Sequence, residues 1–494
     1  MRAGEVSADV EIRAAARDTR YELPIVLVDF GSTFTKLTVV DALTGTLIAK
    51  ASHLTTIDTD VMDGFDKALG AVKRELPHLS GEEVLACSSA AGGLRLGVVG
   101  LEKDLTAEAG RRAALSAGAR VVTVVEGGLV NGSLARLLTE KPDILLLTGG
   151  TDGGNRSCLV ESATAIASSD LQVPVVVAGN AEAQDEVEQI LRAGGERHVV
   201  TVPNVMPEIG TIREEPVREV VRELFIRHVI GGKHLSARSE FVSMVLMPTP
   251  EAVLLATALL ATLEHHLRFG DVAVVDIGGA TTDVHSAISD RRGDEGGYAR
   301  EILPSSEVSR TVEGDLGLRW NAPGIVEAAT SDVGLASSVS KELEVAAERL
   351  RADPSLLPAS EQDSDDDVEL ASLATKVALR RHAGELRVTL TPDGASLRRT
   401  GKDLRTVRTL LGTGGIFVHA TRDRSARILE ASAAPDQGRT RLLPRSPTLV
   451  IDRRYVMAAA GLLSVRHPDA AATLLREQLV SVAPSGEEVS DSGR

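Results

Sequence analysis

Val26-Leu-Val-Asp-Phe-Gly-Ser-Thr-Phe-Thr-Lys36 and, far downstream, Val274-Val-Asp-Ile-Gly-Gly-Ala-Thr-Thr-Asp283 read as two copies of one phrase. Each runs from an apolar strand into an aspartate, then a glycine two residues later, then hydroxyl residues. An aspartate ending a buried strand sets a carboxylate at a sheet edge, where it can orient Mg²⁺ through water, and the turn behind it exposes N–H groups to phosphate. In the first copy these are Asp29 and Gly31, with Ser32, Thr33 and Thr35 as hydroxyl donors and Lys36 as a charge that can turn inward. In the second, Asp276, Gly278, Gly279, Thr281, Thr282 and Asp283 repeat the arrangement. One copy alone reads equally well as a strand and a tight turn. Two copies, followed by Gly412-Thr-Gly-Gly415 behind a third apolar strand, predict facing turns that clamp a polyphosphate, with Asp29 and Asp276 on the metal. Gly412, Gly414 and Gly415 would let backbone pass against adenine and ribose.

This three-part order resembles the superfamily of actin, sugar kinases and the heat-shock ATPase chaperones. The resemblance implies an α/β fold: a two-lobed, actin-like (duplicated ribonuclease H-like) ATPase with a mixed five-stranded sheet in each lobe, closing on ATP and Mg²⁺. No Gly-x-x-x-x-Gly-Lys-Ser/Thr occurs, so the chain does not read as a P-loop protein. Further phrases narrow the match: Ser88-Ser-Ala-Ala-Gly-Gly-Leu94, Glu126-Gly-Gly-Leu-Val-Asn-Gly132, Leu147-Thr-Gly-Gly-Thr-Asp-Gly-Gly-Asn155, Asn204-Val-Met-Pro-Glu-Ile-Gly210 and Glu313-Gly-Asp-Leu-Gly317. Over residues 22–470 these resemble the GlmL family, also called MutL, the accessory proteins of coenzyme-B12-dependent glutamate mutase and related aminomutases, unrelated to the mismatch-repair protein of that name. The resemblance implies an ATP-driven chaperone, a slow ATPase releasing ADP, that helps an adenosylcobalamin mutase shed damaged cofactor. A small-molecule kinase or an ATP-dependent amidohydrolase of the hydantoinase and oxoprolinase type stands as the alternative on the same scaffold.

Composition sets outer bounds. At 494 residues the chain exceeds one ordinary core, given roughly 100–200 residues per domain. Apolar residues are 43% and charged residues 25%, enough for folded lobes, while aromatics at 2% leave Leu, Val, Ile and Ala to fill them. Formal charge is 54 − 70 = −16, which opposes nucleic acid and anionic lipid at long range, so nucleotide must be captured locally. Cys87 and Cys158 show no zinc or redox spacing, and no apolar run approaches a membrane span. A cytoplasmic, reduced protein is expected.

Along the chain, residues 1–20 read as a flexible tail and 21–94 as the first lobe. Between 95 and 210, apolar runs at Val121–Val125, Ile144–Leu147, Val173–Ala178 and His198–Val202 alternate with helix-length segments and predict an inserted parallel α/β module. Residues 211–480 read as the remainder of the ATPase, 353–369 with its run Asp363-Ser-Asp-Asp-Asp367 as an acidic loop, and 481–494 as a second flexible tail. Strand–helix alternation is also the architecture of cobalamin-binding domains, which suggests docking where a mutase's small B12 subunit sits; the Asp-x-His-x-x-Gly motif of direct cobalamin binders is missing.

Three further groups carry open readings. Glu313 and Asp315 could position an attacking water or open a helix. Thr148, Thr151, Asp152 and Asn155 could form a second anion site or a turn in which Asp152 or Asn155 caps the next helix. Asp152 or Asp283 could serve a kinase as base.

Overall fold

The computed structural model describes residues 9–17, 19, 21–79, 82–129, 132–230, 235–263, 269–289, 307–332, 334–391, 394–433 and 440–482. The chain divides into two compact units, one from Met1–Ala252 and the other from Val253–Glu301 with Ser305–Arg494.

In the first unit β1 (Asp9–Ile12), β2 (Pro24–Phe30), β3 (Phe34–Asp41), β4 (Thr46–Leu54) and β5 (Glu83–Ser88) come first. β2, β3 and β4 form an antiparallel meander, because short turns separate runs of Val, Leu and Ile; Gly45, at φ 75°, closes the second turn by donating to Asp41 O. β5 returns parallel to β2 after the helix Val61–Glu75, which Asp60 caps by accepting from Met62 N–H at 2.8 Å. That helix buries Val61, Met62, Phe65, Ala68 and Val72 on one stripe and carries Lys73 and Arg74 in its last turn, complementing the helix dipole. Phe30 meets Phe241 edge-on at 5.0 Å in the same core, each such side chain contributing about 1.5–3 kcal/mol by burial.

The chain then builds a separate sheet from β6 (Arg95–Val99), β7 (Arg120–Val125), β8 (Ile144–Leu147), β9 (Val175–Val177) and β10 (Val199–Thr201) before β11 (Val245–Pro248) rejoins the first sheet parallel to β5. All five strands are parallel, in the order β10-β9-β8-β6-β7, so the winding reverses between β6 and β8. Alternate residues go to different cores: Leu96, Val98, Ile144 and Leu146 pack with the first sheet's core, whereas Val99, Leu145 and Leu147 face a second one with Leu159 and Ile166.

The second unit repeats the first unit's sheet. β12 (Val272–Ile277), β13 (Thr282–Ala287) and β14 (Val308–Glu313) form the antiparallel meander; after a hairpin of β15 (Glu385–Thr391) and β16 (Gly394–Thr400), β17 (Thr409–Gly414) joins β12 in parallel. β18 (Thr448–Ile451) follows parallel to β17, and β19 (Val480–Val482) closes the edge antiparallel to β18. The order β4-β3-β2-β5-β11 is thus matched by β14-β13-β12-β17-β18. This is the duplicated actin-like fold, with the parallel module spliced between the fourth and fifth strands of the first half. Among the described residues each of these two matched sheets has six strands rather than the expected five, β1 and β19 being the additions.

Three boundaries differ from the sequence reading. Residues 9–17 are not a tail: β1 pairs with β4, Asp9 opposite Ser52 through Ile12 opposite Ala49, and Ala14–Arg17 form a helical turn. The acidic stretch is a loop only to Ser360, which caps the helix Glu361–His382 through Asp363 N–H; the acids occupy its first turns, favoured by the dipole and paired with Arg349, Arg319 and Arg424. The chain stays in strand to Val482, and the rest of the expected C-terminal tail lies outside the described residues.

Candidate functional site

The turn between β2 and β3 opens with Gly31, whose N–H donates to Phe34 O at 3.1 Å; a Cβ at residue 31 would lie 2.6 Å from that oxygen, so the approach requires glycine. Thr55, just past β4, pulls the turn's carbonyls backward: its hydroxyl donates to Gly31 O at 2.8 Å and its N–H to Thr33 O at 2.9 Å. The amides of Ser32 and Thr33, in the turn itself, make no hydrogen bond among the described residues. Ser32 is exposed and Thr33 half-buried, whereas Thr35 is fully buried against the Thr55 hydroxyl at 3.2 Å and braces the turn. Asp29, buried at the end of β2, stands directly across from Lys36, whose Nζ is 3.6 Å from Asp29 Oδ2.

The turn between β12 and β13 is built the same way. Gly278 N–H donates to Thr281 O at 2.9 Å, the counterpart of Gly31 and Phe34. Here the bracing segment follows β14: Leu318 N–H donates to Gly278 O, Arg319 and Trp320 N–H to Gly279 O, and the Asn321 amide to Ala280 O. The amides of Gly279, Ala280 and Thr281 likewise make no hydrogen bond among the described residues. Thr282 is buried and spends its hydroxyl on Leu316 O at 2.6 Å. Asp276, half-buried, faces Asp283 across the strand pair, where the first unit has Lys36. Asp283 Oδ1 accepts from the buried Arg310, Nε at 2.9 Å and Nη2 at 2.7 Å, and Oδ2 accepts from the Thr281 hydroxyl at 3.2 Å. Beyond Arg310 lies His285, fully buried, its imidazole pushed well below the usual range by burial and then by the guanidinium.

β17 ends in Thr413-Gly414, beside Asp276 and Ile277 in parallel register. Gly414 has φ 109°, and a Cβ there would be driven into the Ile277 carbonyl; Gly412 packs under the Phe417 ring in the same way. Gly415 is exposed, with open space where its Cβ would be. Glu313 and Asp315 neither open a helix nor stand alone: Arg381 donates to Glu313 at 2.8 Å and to Asp315 at 2.7 and 2.8 Å. Burial raises the Glu313 carboxyl above its ordinary value, against the pull of Arg381. In the parallel module the Thr148 hydroxyl bonds Val99 O and Thr106 O, Asn155 caps the helix Ser157–Ala167 by accepting from Cys158 N–H, and Asp152 Oδ1 accepts from Ala181 N–H and Asn204 Nδ2. That run is a structural turn. Thr151 is half-buried.

Among the described residues no three His, Cys, Asp or Glu converge on a metal position. A Mg²⁺ ion held by one or two carboxylates together with phosphate oxygens and water needs no such cluster. The sequence reading missed Thr55, Thr249, Arg310 and Asp452. Thr55 carried a faint signal as the first hydroxyl past the meander; the others act across long sequence separations.

A family model described as MutL protein matches residues 25–479. Protein MutL of Clostridium tetanomorphum is 40% identical over 465 residues, 92% of this chain and 99% of the relative. Among solved structures, nucleotide-free acetone carboxylase aligns at 12% identity and a TM-score of 0.39 over 90% of this chain and 70% of that one. An ATP-dependent caprolactamase from Pseudomonas jessenii aligns at 12% identity and 0.35 over 89% and 70%. Scores of this size say nothing about activity.

Proposed function

Because the chain belongs to the MutL protein family, we propose that it is an accessory ATPase that restores an adenosylcobalamin-dependent aminomutase of the glutamate mutase kind by driving out damaged cofactor. The observation that carries the nucleotide part is the pair of turns. Duplicated topology brings an aspartate, a tied-back set of carbonyls and turn amides without a partner among the described residues to the same place in each half. Such amides are donors for phosphate oxygens, and they work locally against a net charge of −16. In this reading each turn offers its amides to phosphate: Asp29 and Asp276 hold water ligands of Mg²⁺, and Lys36 adds positive charge beside the first turn. Bound Mg²⁺ would screen the phosphates during hydrolysis.

Asp283 and Glu313 are the carboxylates proposed to orient the attacking water, Arg310 fixing the first and Arg381 the second. Gly412, Gly414 and Gly415 would border adenosine. Hydrolysis in this reading drives a conformational change rather than metabolic flux, so turnover is slow and responds to the client. The proposed client contact is the mutase itself, the module of β6–β10 docking where its small cobalamin-binding subunit sits. No helix among the described residues is long and apolar enough to cross a membrane, and the free cysteines Cys87 and Cys158 fit the proposed cytoplasmic setting.

The test follows ADP and released cobalamin together, with and without a cobalamin-inactivated aminomutase. ATP-dependent cobalamin release with recovered mutase activity is the expected result; hydrolysis indifferent to the mutase would overturn the reading.

A further inference from the structure

The carboxylate of Asp29 is not free to rotate. Thr249, 220 residues further along the chain, donates its hydroxyl to Asp29 Oδ1 at 2.6 Å, and both side chains are buried. Cys87 Sγ, on the intervening strand β5, lies 3.7 Å from the same oxygen. Oδ1 is therefore closed off by the fold, and Oδ2 is the oxygen turned toward Lys36. We propose that Thr249 is a positioning residue for the proposed Mg·nucleotide site, setting the Asp29 rotamer so that Oδ2 is offered to the metal's water shell; this rests on reading the first turn as such a site.

Local sequence supports rigidity. Pro248 and Pro250 flank Thr249, fixing φ on both sides and restricting the residue between them. Thr249 is the first residue past β11 and the first of the helix Thr249–Thr262, so a strand end and a helix start both anchor it. The second unit uses the equivalent place for the same purpose. Asp452, the first residue past β18, accepts from the Thr413 hydroxyl at 3.0 Å and from Val456 and Met457 N–H, tying the Gly412–Gly415 segment to the helix Met457–Ser464. In both halves the junction after the fifth strand fixes a strand-end side chain of the site, with donor and acceptor roles exchanged.

The experiment titrates the full-length protein with ADP by calorimetry, with Mg²⁺ and with EDTA, for wild type, Thr249→Val, Thr249→Ser and Asp29→Asn. A charge-assisted hydrogen bond of this kind predicts Mg·ADP binding weakened roughly tenfold or more in the valine variant, unchanged ADP binding in EDTA, and recovery to within about twofold in the serine variant. Adding Thr249→Val to Asp29→Asn should cost nothing further, since both act through one carboxylate. Should the valine variant fail to fold, Thr249→Ala carries the same comparison. Wild-type affinity in the valine variant, or equal weakening with and without Mg²⁺, overturns the assignment of Thr249 alone. A wild-type protein that does not bind Mg·ADP overturns the nucleotide reading, and the proposal with it.

Discussion

Gly414→Ala and Gly415→Ala, adjacent substitutions of the same chemistry, are predicted to fail in different ways. Gly414 sits at φ 109° and a Cβ there would enter the Ile277 carbonyl, in the parallel pairing of β17 with β12. Backbone cannot yield as a flexible side chain does, so the alanine bears the left-handed penalty of about 1–2 kcal/mol and an overpacking cost of about 1–3 kcal/mol. Together these come to about 2–5 kcal/mol, or a fall of roughly 5–15 °C in the melting midpoint of a unit this size. Gly415 faces open space and begins a short helix, so its alanine should melt within about a degree or two of wild type or slightly above it. The second substitution should nonetheless weaken ATP, because the methyl fills space the adenosine is proposed to use. Differential scanning calorimetry with nucleotide titration separates the two effects. A Gly414→Ala protein with a wild-type midpoint would refute the crowding argument, and a Gly415→Ala protein with wild-type ATP affinity would remove Gly415 from the site.

Two more outcomes follow from the second unit. His285 is held neutral in the fold by burial and by Arg310, while the unfolded chain takes up a proton near pH ~6.5. Stability is therefore intact above that pH and falls as pH drops below it, by at most about 1.4 kcal/mol per pH unit. His228, also lowered, acts with the same sign, and Glu313, raised by burial, acts oppositely but only in the carboxylate range. His285→Leu should flatten the decline in denaturant-measured stability between pH 7 and 5.5; an unchanged slope would show that His285 is not its source. Asp283→Asn breaks the buried ion pair with Arg310 and should cost about 3–5 kcal/mol, whereas Arg381→Met, at a partly exposed ion pair, should cost about 1 kcal/mol or less. Equal losses in urea titrations would contradict that ranking.

Much of this was legible in the residues because it is local. Asp29 with Gly31 and Asp276 with Gly278 stand where strand, turn and glycine require them. What was not legible depends on distant partners. Hydroxyl residues in a turn do not reveal which way they face: Thr35 and Thr282 bond inward, and the amides beside them are the groups left to offer. The acidic run at 363–367 reads as solvated loop only while Arg349, Arg319 and Arg424 are out of view. β1 is a short edge strand whose alternation becomes visible only against β4. Thr249 meets Asp29 because β5 and β11 fall beside β2, a consequence of topology that no motif encodes.

Nucleotide stoichiometry measures the central claim most directly. Trp320, the chain's single tryptophan, is exposed and bonds Gly279 through its backbone, so its fluorescence reports on the second turn. Titrating a non-hydrolysable Mg·ATP analogue against wild type, Asp29→Ala and Asp276→Ala, with calorimetry in parallel, should give one nucleotide per wild-type chain, a Trp320 response, and loss of binding in both variants with melting midpoints preserved. Two nucleotides per chain, or a variant that binds as wild type does, would contradict this account of the turns.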